Sequence, residues 1–294
     1  MSATAVTSTT AAKFINDVWS PELNKAIEFD TVIAAMFTDK TKVAQQRGGG
    51  QVFHLPARHN LTANTKSATT DATPESITET EQTFTPSTHQ IVAQEIESFA
   101  EVMSMYDIRS EFTEAASYAL ARAQDVAAAA LFDDNTTQTA GIIGSELTDD
   151  NFLTAWTYMR NSAAKAPYKV VLSPAGAAGL LKIDKYIRQE YNGDSSGKAV
   201  HEAFIGKIYQ ANIHISQLTV GTAPNSDGHM WSADHFFKII KKAPKQDAWF
   251  SPLAKSWVVA TDQIYGMFER LEADEAAAAT TTARLWGVRL RNLK

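Results

Sequence analysis

Cysteine is absent from the 294 residues, which excludes a disulfide framework, a thiolate nucleophile and any Cys-ligated zinc or iron–sulfur cluster. No apolar run approaches eighteen residues, and the first thirty carry no basic stretch leading into an apolar core. Neither a spanning helix nor a signal peptide is therefore expected, and the chain reads as soluble, cytosolic and without a membrane partner. Catalytic signatures are missing too: there is no Gly-x-Ser-x-Gly elbow, no Walker loop and no dinucleotide fingerprint. Ser196-Gly197-Lys198 looks like the tail of a phosphate loop, but no strand precedes Gly193. His54 and His59 lie five apart and His229 and His235 six apart, so neither pair has the spacing of a helical metal site. Asp133-Asp134 and Asp149-Asp150 stand beside expected helix ends, where Asp caps and solvates. The densest basic cluster, Lys238, Lys241, Lys242 and Lys245, does not make a duplex-binding surface on a chain of net charge −6. No catalytic residue, cofactor or metal is nominated.

What is present is ordinary globular composition, 44% hydrophobic and 20% charged, with length for one large domain or two smaller ones. Charge is unevenly divided. Residues 1–150 hold 9 Lys+Arg against 21 Asp+Glu (−12), and residues 151–294 hold the other 18 against 12 (+6). Opposite halves can attract within one fold or between neighbouring copies.

The stretch from Asp107 to Phe132 organises the rest. Ile108, Phe112, Ala115, Ala119, Ala123, Val126 and Ala130 recur at steps of three and four and are expected to form one buried stripe of a long helix. Asp107 is the expected N-cap. At about 1.5 Å per residue this is a rod of roughly 37 Å. Ahead of it, Phe14, Ile15, Val18 and Trp19 form a small apolar cluster, and Ser20-Pro21-Glu22 reads as a helix start. Gly48-Gly49-Gly50 breaks the chain before a strand over Gln51 to Pro56. From Leu61 to His89 there is almost no apolar bulk, while Thr occupies ten positions from Thr62 to Thr88. Alternation through Thr78–Thr85 predicts the arms of a long hairpin with nothing of its own to bury. The chain should return as a strand over Gln90–Ile96.

After the long helix, Thr148 is the expected cap of another, with Leu147 and Phe152 as its hydrophobic staple. Tyr168–Leu172 reads as a buried strand, and Ser173-Pro174 opens a helix carrying Ala178, Leu181 and Ile187. Strand followed by helix marks an α/β region. Tyr191–Lys198 reads as a loop, Ile205–Ile208 and Ile213–Ser216 as strands, and the last sixty residues as mostly strand.

The segment Phe14–Leu23, the Gly-led strand, the Thr-rich arm ending Glu79-Thr80-Glu81-Gln82-Thr83-Phe84-Thr85 and the long helix together resemble tailed-bacteriophage major capsid proteins. Val171–Gly176, Ile205–Ile208 with Ile213–Ser216, and Tyr265-Gly266 follow in the same order. The resemblance covers about residues 14–270. It implies an α+β fold of the Hong Kong 97 type with a long spine helix and an extended β-hairpin loop. Its expected parts are an N-terminal arm (1–45), the extended loop (46–88), a peripheral domain with the spine helix (89–134), an axial domain (135–235) and return strands of the peripheral domain (236–294). The implied function is non-enzymatic: self-assembly as pentamers and hexamers into an icosahedral head enclosing double-stranded DNA, without sequence-specific contact. Implied partners are further copies of the chain and scaffolding, portal and decoration proteins; the implied location is the virion, assembled in the host cytoplasm. Lys66, Glu75, Glu79, Glu81 and Phe84 on the arm, and Asp194 and Lys198 in the later loop, are the expected assembly contacts. Two rivals are an encapsulin-like compartment shell and a soluble α/β enzyme with the Thr-rich segment as its lid.

Overall fold

A computed structural model describes residues 28, 31–46, 52–56, 63–66, 68, 71, 74, 81–104, 107–132, 138–142, 144–183, 207–218, 227–270 and 287–291. The elements in chain order are α1 (Ile33–Met36), β1 (Thr38–Asp39), α2 (Thr41–Gln46), β2 (Phe53–Pro56), β3 (Glu81–Phe84), β4 (Thr88–Glu97), α3 (Ser98–Met103), α4 (Ile108–Ala130) and β5 (Thr139–Ala140). There follow α5 (Asp149–Asn161), β6 (Tyr168–Leu172), α6 (Pro174–Leu181), β7 (Lys207–Ile208), β8 (Ala211–Ile215), β9 (Gly228–Ser232), β10 (Phe236–Ser251), β11 (Ser256–Glu269) and β12 (Gly287–Leu290). The result is α+β with two mixed sheets and a separate pair, β2–β3.

The first sheet runs β1-β10-β11-β4, with β10 and β11 forming a long antiparallel hairpin. Along one face lies α4. Gln263 on β11 has no exposed surface; its side-chain amide donates to Gln90 Oε1 at 3.0 Å and to the Leu120 carbonyl at 3.1 Å, and its oxygen accepts from Gln124 at 2.7 Å. A buried amide tied to strand and helix at once fixes how far the helix can slide along the sheet.

The second sheet runs β5-β12-β9-β6-β8-β7. Its core holds the staple pair Leu147 and Phe152 with Met159, Tyr168, Leu172 and Met230. Thr148 and Ser173 cap α5 and α6 by accepting from the amides of Asn151 and Gly176. Of the positions expected on the latter helix, Ala178 faces out, because Ala177, Gly179 and Leu180 are the ones packed inward; Ile187 lies outside the described residues. The final strand does not extend the first sheet with β10 and β11: Gly287–Leu290 pairs with β9 and β5 in the second. A third cluster at the junction joins Ile33, Phe37, Phe132, Val171, Trp231 and Phe236, drawn from both sheets and from the end of α4.

The long helix departs from expectation in its facing. Ala115, Ala119, Val126 and Ala130 are exposed, whereas Ala116, Leu120, Asp125 and Ala128 are buried, so the packed side lies about 100° round from the anticipated stripe. Ala is spread around the whole circumference and gives little phase information. The facing is set instead by Leu120 and by what Asp125 binds.

Candidate assembly surface

Asp125 is 1% exposed, and its two carboxylate oxygens accept from three consecutive amides: Val32 at 2.7 Å, Ile33 at 3.2 Å and Ala34 at 2.7 Å. These are the orphan donors at the start of α1. The other end of this single turn is held by lysines: Lys238 on β10 donates to the Ala34 carbonyl at 3.0 Å, and Lys169 on β6 donates to that of Met36. Burial pushes the Lys169 ammonium below its usual pKa, with Asp234 pulling the other way. One helical turn is thus fastened to α4, to the first sheet and to the second, and fixes where the N-terminal segment leaves the fold.

The hairpin arm has an anchored base. Phe53 on β2 and Phe84 on β3 are register partners and pack with Phe237, Ile239 and Phe268. The Phe84 ring meets Phe237 edge-on at 4.9 Å and Phe268 at 5.2 Å. Gly266 makes room for this approach, since a Cβ there would stand 2.9 Å from the Pro86 Cα and against the Phe268 ring. The arm was expected to bury nothing of its own. Its base does bury Phe53 and Phe84, against partners far downstream that local composition cannot reveal.

Of the anticipated contact residues, Phe84, Glu81 and Lys66 are among the described ones. Phe84 is 9% exposed, and its ring is taken up inside its own chain. Glu81 is exposed and paired with His54 Nδ1 at 3.1 Å. Lys66 is exposed. Glu75, Glu79, Asp194 and Lys198 lie outside the described residues.

A surface that the sequence reading missed occupies the far end of the first sheet. Trp249 and Phe250 close β10, Leu253 stands in the turn at full exposure, and Phe99, Val102 and Met103 project from α3 with 69–82% exposure. Register brings the start of α3 to this turn. Glu97 at the end of β4 pairs with Ser256, and the Ser98 amide donates to the Lys255 carbonyl at 3.0 Å, so α3 starts beside the β10–β11 turn. Phe250 and Trp257 rings are 5.3 Å apart, and the Arg109 guanidinium lies 4.6 Å over Trp257 at the start of α4. The available signal was the aromatic pair Trp249-Phe250 beside Pro252-Leu253, an apolar concentration at a turn.

Away from α4 the sheet carries charge. Lys242 donates to both oxygens of Asp262 at 2.5 and 2.6 Å, and His89 contacts the same carboxylate at 3.0 Å. The hydrogen bond from Lys242, then that from His89, holds the Asp262 carboxyl below its ordinary pKa. The most chemically suggestive group, His229, His235, Asp227, Glu269 and Arg289, is enclosed. His229 and His235 are each 1% exposed, His229 stacks on Phe132 at 4.7 Å, and Arg289 pairs with Asp227 at 2.7 Å. Burial, then the charges of His235 and Arg289, holds His229 well below its ordinary pKa. It is a framework base rather than one that can meet a substrate. A shallow open groove of about 380 Å³ runs along α5, and the described residues that line it, Asp150, Leu153, Thr154, Thr157 and Tyr158, all belong to that helix. Among the described residues no three His, Asp or Glu side chains are grouped to hold a metal, and no helix is long and apolar enough to cross a membrane.

No family model and no curated protein matches the chain. Solved structures do match, over nearly the whole length. A structure from Mycobacterium phage Che8 superposes with a TM-score of 0.75 at 17% identity, covering 94% of this chain and 97% of that one. The capsid structure of the cyanophage P-SCSP1u gives 0.72 at 14% identity, covering 96% and 94%. A capsid chain of a native GTA particle gives 0.69 at 10% identity over 100% of both chains. The protein thus has the α+β fold of bacteriophage capsid proteins.

Proposed function

We propose that the protein is a major capsid protein, assembling as pentamers and hexamers into an icosahedral phage head that encloses double-stranded DNA. The observation that carries the proposal is the correspondence with phage capsid structures over nearly the whole of this chain. The geometry is consistent with a shell subunit in three respects. The arm is anchored at its base by Phe53 and Phe84, a long helix packs along a sheet, and exposed apolar side chains lie at one end of that sheet. In this reading the role is structural and not catalytic, the location is the virion after assembly in the host cytoplasm, and the genome is held without reading its sequence. Scaffolding, portal and decoration proteins are the further partners.

The fold variant proposed is the Hong Kong 97 type. Residues 1–45 are the N-terminal arm, 46–88 the extended loop, 89–134 the peripheral domain with its spine, 135–235 the axial domain and 236–270 the return strands. Gly287–Leu290 goes with the axial sheet, following its pairing with β9. Phe84 is the pivot on which the loop is mounted. Lys66, Glu75, Glu79 and Glu81 reach basic groups of a neighbour, and Asp194 and Lys198 form contacts around the capsomer. A loop without its own core becomes ordered only by lying on another subunit, which couples its ordering to assembly. Deleting residues 62–79, which leaves β3 and the buried Phe84 at the base, is the test. The expected product is a folded protein that forms no closed shells; normal shells from this variant would refute the role of the loop.

A further inference from the structure

The two outer edges of the first sheet are built differently. On β10, β1 covers only Phe237 and Lys238; beyond them the strand has two register shifts, between Ile240 and Lys242 and between Lys242 and Lys245, and exposes Lys241, Pro244 and Lys245. Bulges, proline and lysine are the features that keep an edge strand from pairing with another chain. β4 has none of them. Its ten residues, Thr88–Glu97, run against β11 without a register shift and include no Pro, Gly, Lys or Arg. Among the described residues no strand lies along their other side, and Ile91 near the middle is 61% exposed.

An open edge of this kind presents alternate backbone amides and carbonyls to a further strand. The sequence of β4 is matched to itself. When two copies pair antiparallel about a two-fold axis, symmetry sets one residue of the strand opposite its own counterpart. Centring on Val92 brings Ile91 opposite Ala93, Gln90 opposite Gln94, and His89 opposite Glu95. Apolar groups then meet apolar groups, amide meets amide, and the exposed imidazole meets an exposed carboxylate twice about the axis. Centring on Ala93 instead sets Ile91 against Glu95 and Gln90 against Ile96, and centring on Ile91 leaves Glu95 opposite a residue outside the strand. Gln90 accepts from Gln263 beneath α4, so His89, Ile91, Ala93 and Glu95 lie on the sheet face away from that helix.

We propose that β4 pairs antiparallel with β4 of a second copy of this chain, about a two-fold axis at Val92, and joins the two first sheets into one. The partner surface is the strand itself, and the pairing satisfies the outer backbone groups of both copies. This goes beyond the capsid reading and does not rest on it, because edge pairing makes a dimer whether or not dimers close into a shell.

Because the chain has no cysteine, introduced thiols report alone. Ile91→Cys and Ala93→Cys chains, one of them tagged, are co-expressed, purified together and oxidised. Val92→Cys is oxidised by itself, with Ile142→Cys, exposed beyond β5, as its control. A wild-type circular dichroism melt is required of each variant. Directly opposed residues have Cα atoms about 4.5–5.5 Å apart, within disulfide reach, whereas Ile91 and its own counterpart are diagonal neighbours at about 7–8 Å. The 91–93 and 92–92 pairs are of the two alternating kinds, so one of them has the closer spacing whichever way the outer amides point. The expected result is a mixed 91–93 dimer forming at least tenfold faster than either homodimer, or a 92–92 dimer at least tenfold faster than the control. The absence of both preferences would overturn the proposal. Closed shells with neither preference would overturn the pairing and leave the capsid reading standing; a preference in a protein that forms no shells would do the reverse.

Discussion

Replacing Asp125 by Ala removes the acceptor for three amides at once, at 2.7, 3.2 and 2.7 Å. Two of these bonds are buried and one is half-buried, so water can replace only the contact to Val32. Hydrogen bonds to a charged group contribute about 1.5–3 kcal/mol each, and an orphaned buried donor costs about 1–3 kcal/mol. Working against this, the variant no longer buries a carboxylate, and its desolvation penalty is relieved. With these terms opposed, the net loss is about 3 kcal/mol. Asp125→Asn should lose about half as much, since its amide oxygen can keep two donors while its NH₂ confronts the third. The disturbance is local before it is global, because α1 can detach without unfolding either sheet. Native-state hydrogen exchange is the suitable assay: the amides of Ile33, Ala34 and Met36 should lose roughly 100-fold protection in Asp125→Ala, the equivalent of about 3 kcal/mol. Protection within threefold of wild type would show that the carboxylate does not hold the segment and that the facing of α4 has another cause.

Three further outcomes follow from the same structure. Gly266→Ala should lower stability by about 2 kcal/mol in urea unfolding, because the added methyl collides with the Phe268 ring and the Pro86 backbone; an unchanged midpoint would show that the arm base can yield. Phe84→Ala should cost about 3–4 kcal/mol and release β2–β3 to proteolysis while α5 and its sheet remain protected, and uniform loss of protection would contradict an arm mounted separately. His229 is held neutral by burial and by the charges of His235 and Arg289, so the unfolded chain binds a proton that the folded one does not as pH falls below about 6.5. Stability attributable to this group is fully present above that pH and falls by about 1.4 kcal/mol per unit below it, until the depressed folded pKa is reached. His229→Phe should flatten that limb of the pH–stability curve, and an unaltered slope would refute the assignment.

Local chemistry was the legible part of this fold. Asp107, Thr148 and Ser173 each cap the helix they precede, because a cap depends only on the next three residues. The staple of Leu147 and Phe152 and the strand Tyr168–Leu172 were readable for the same reason. Facing and long-range pairing were not. A helix with Ala on every side hides its phase, and an Asp on its apparent polar side gives no sign that it reaches back 91 to 93 residues. Phe84 looked like a bare contact residue because its partners Phe237 and Phe268 lie on strands more than a hundred residues later. The last strand belongs to the second sheet because Val288 and Leu290 fill its core, which alternation alone could not distinguish from a continuation of the first. Of the anticipated assembly contacts, Lys66 and Glu81 stand exposed, whereas the apolar surface at the β10–β11 turn was found only when register brought α3 beside Leu253.

Negative-stain electron microscopy of the protein expressed alone, and again with a co-expressed scaffolding protein, tests the capsid reading most directly. Closed shells or rings of five and six subunits are predicted in at least one of the two preparations. Uniform monomers in both, at concentrations where the chain is folded, would contradict it.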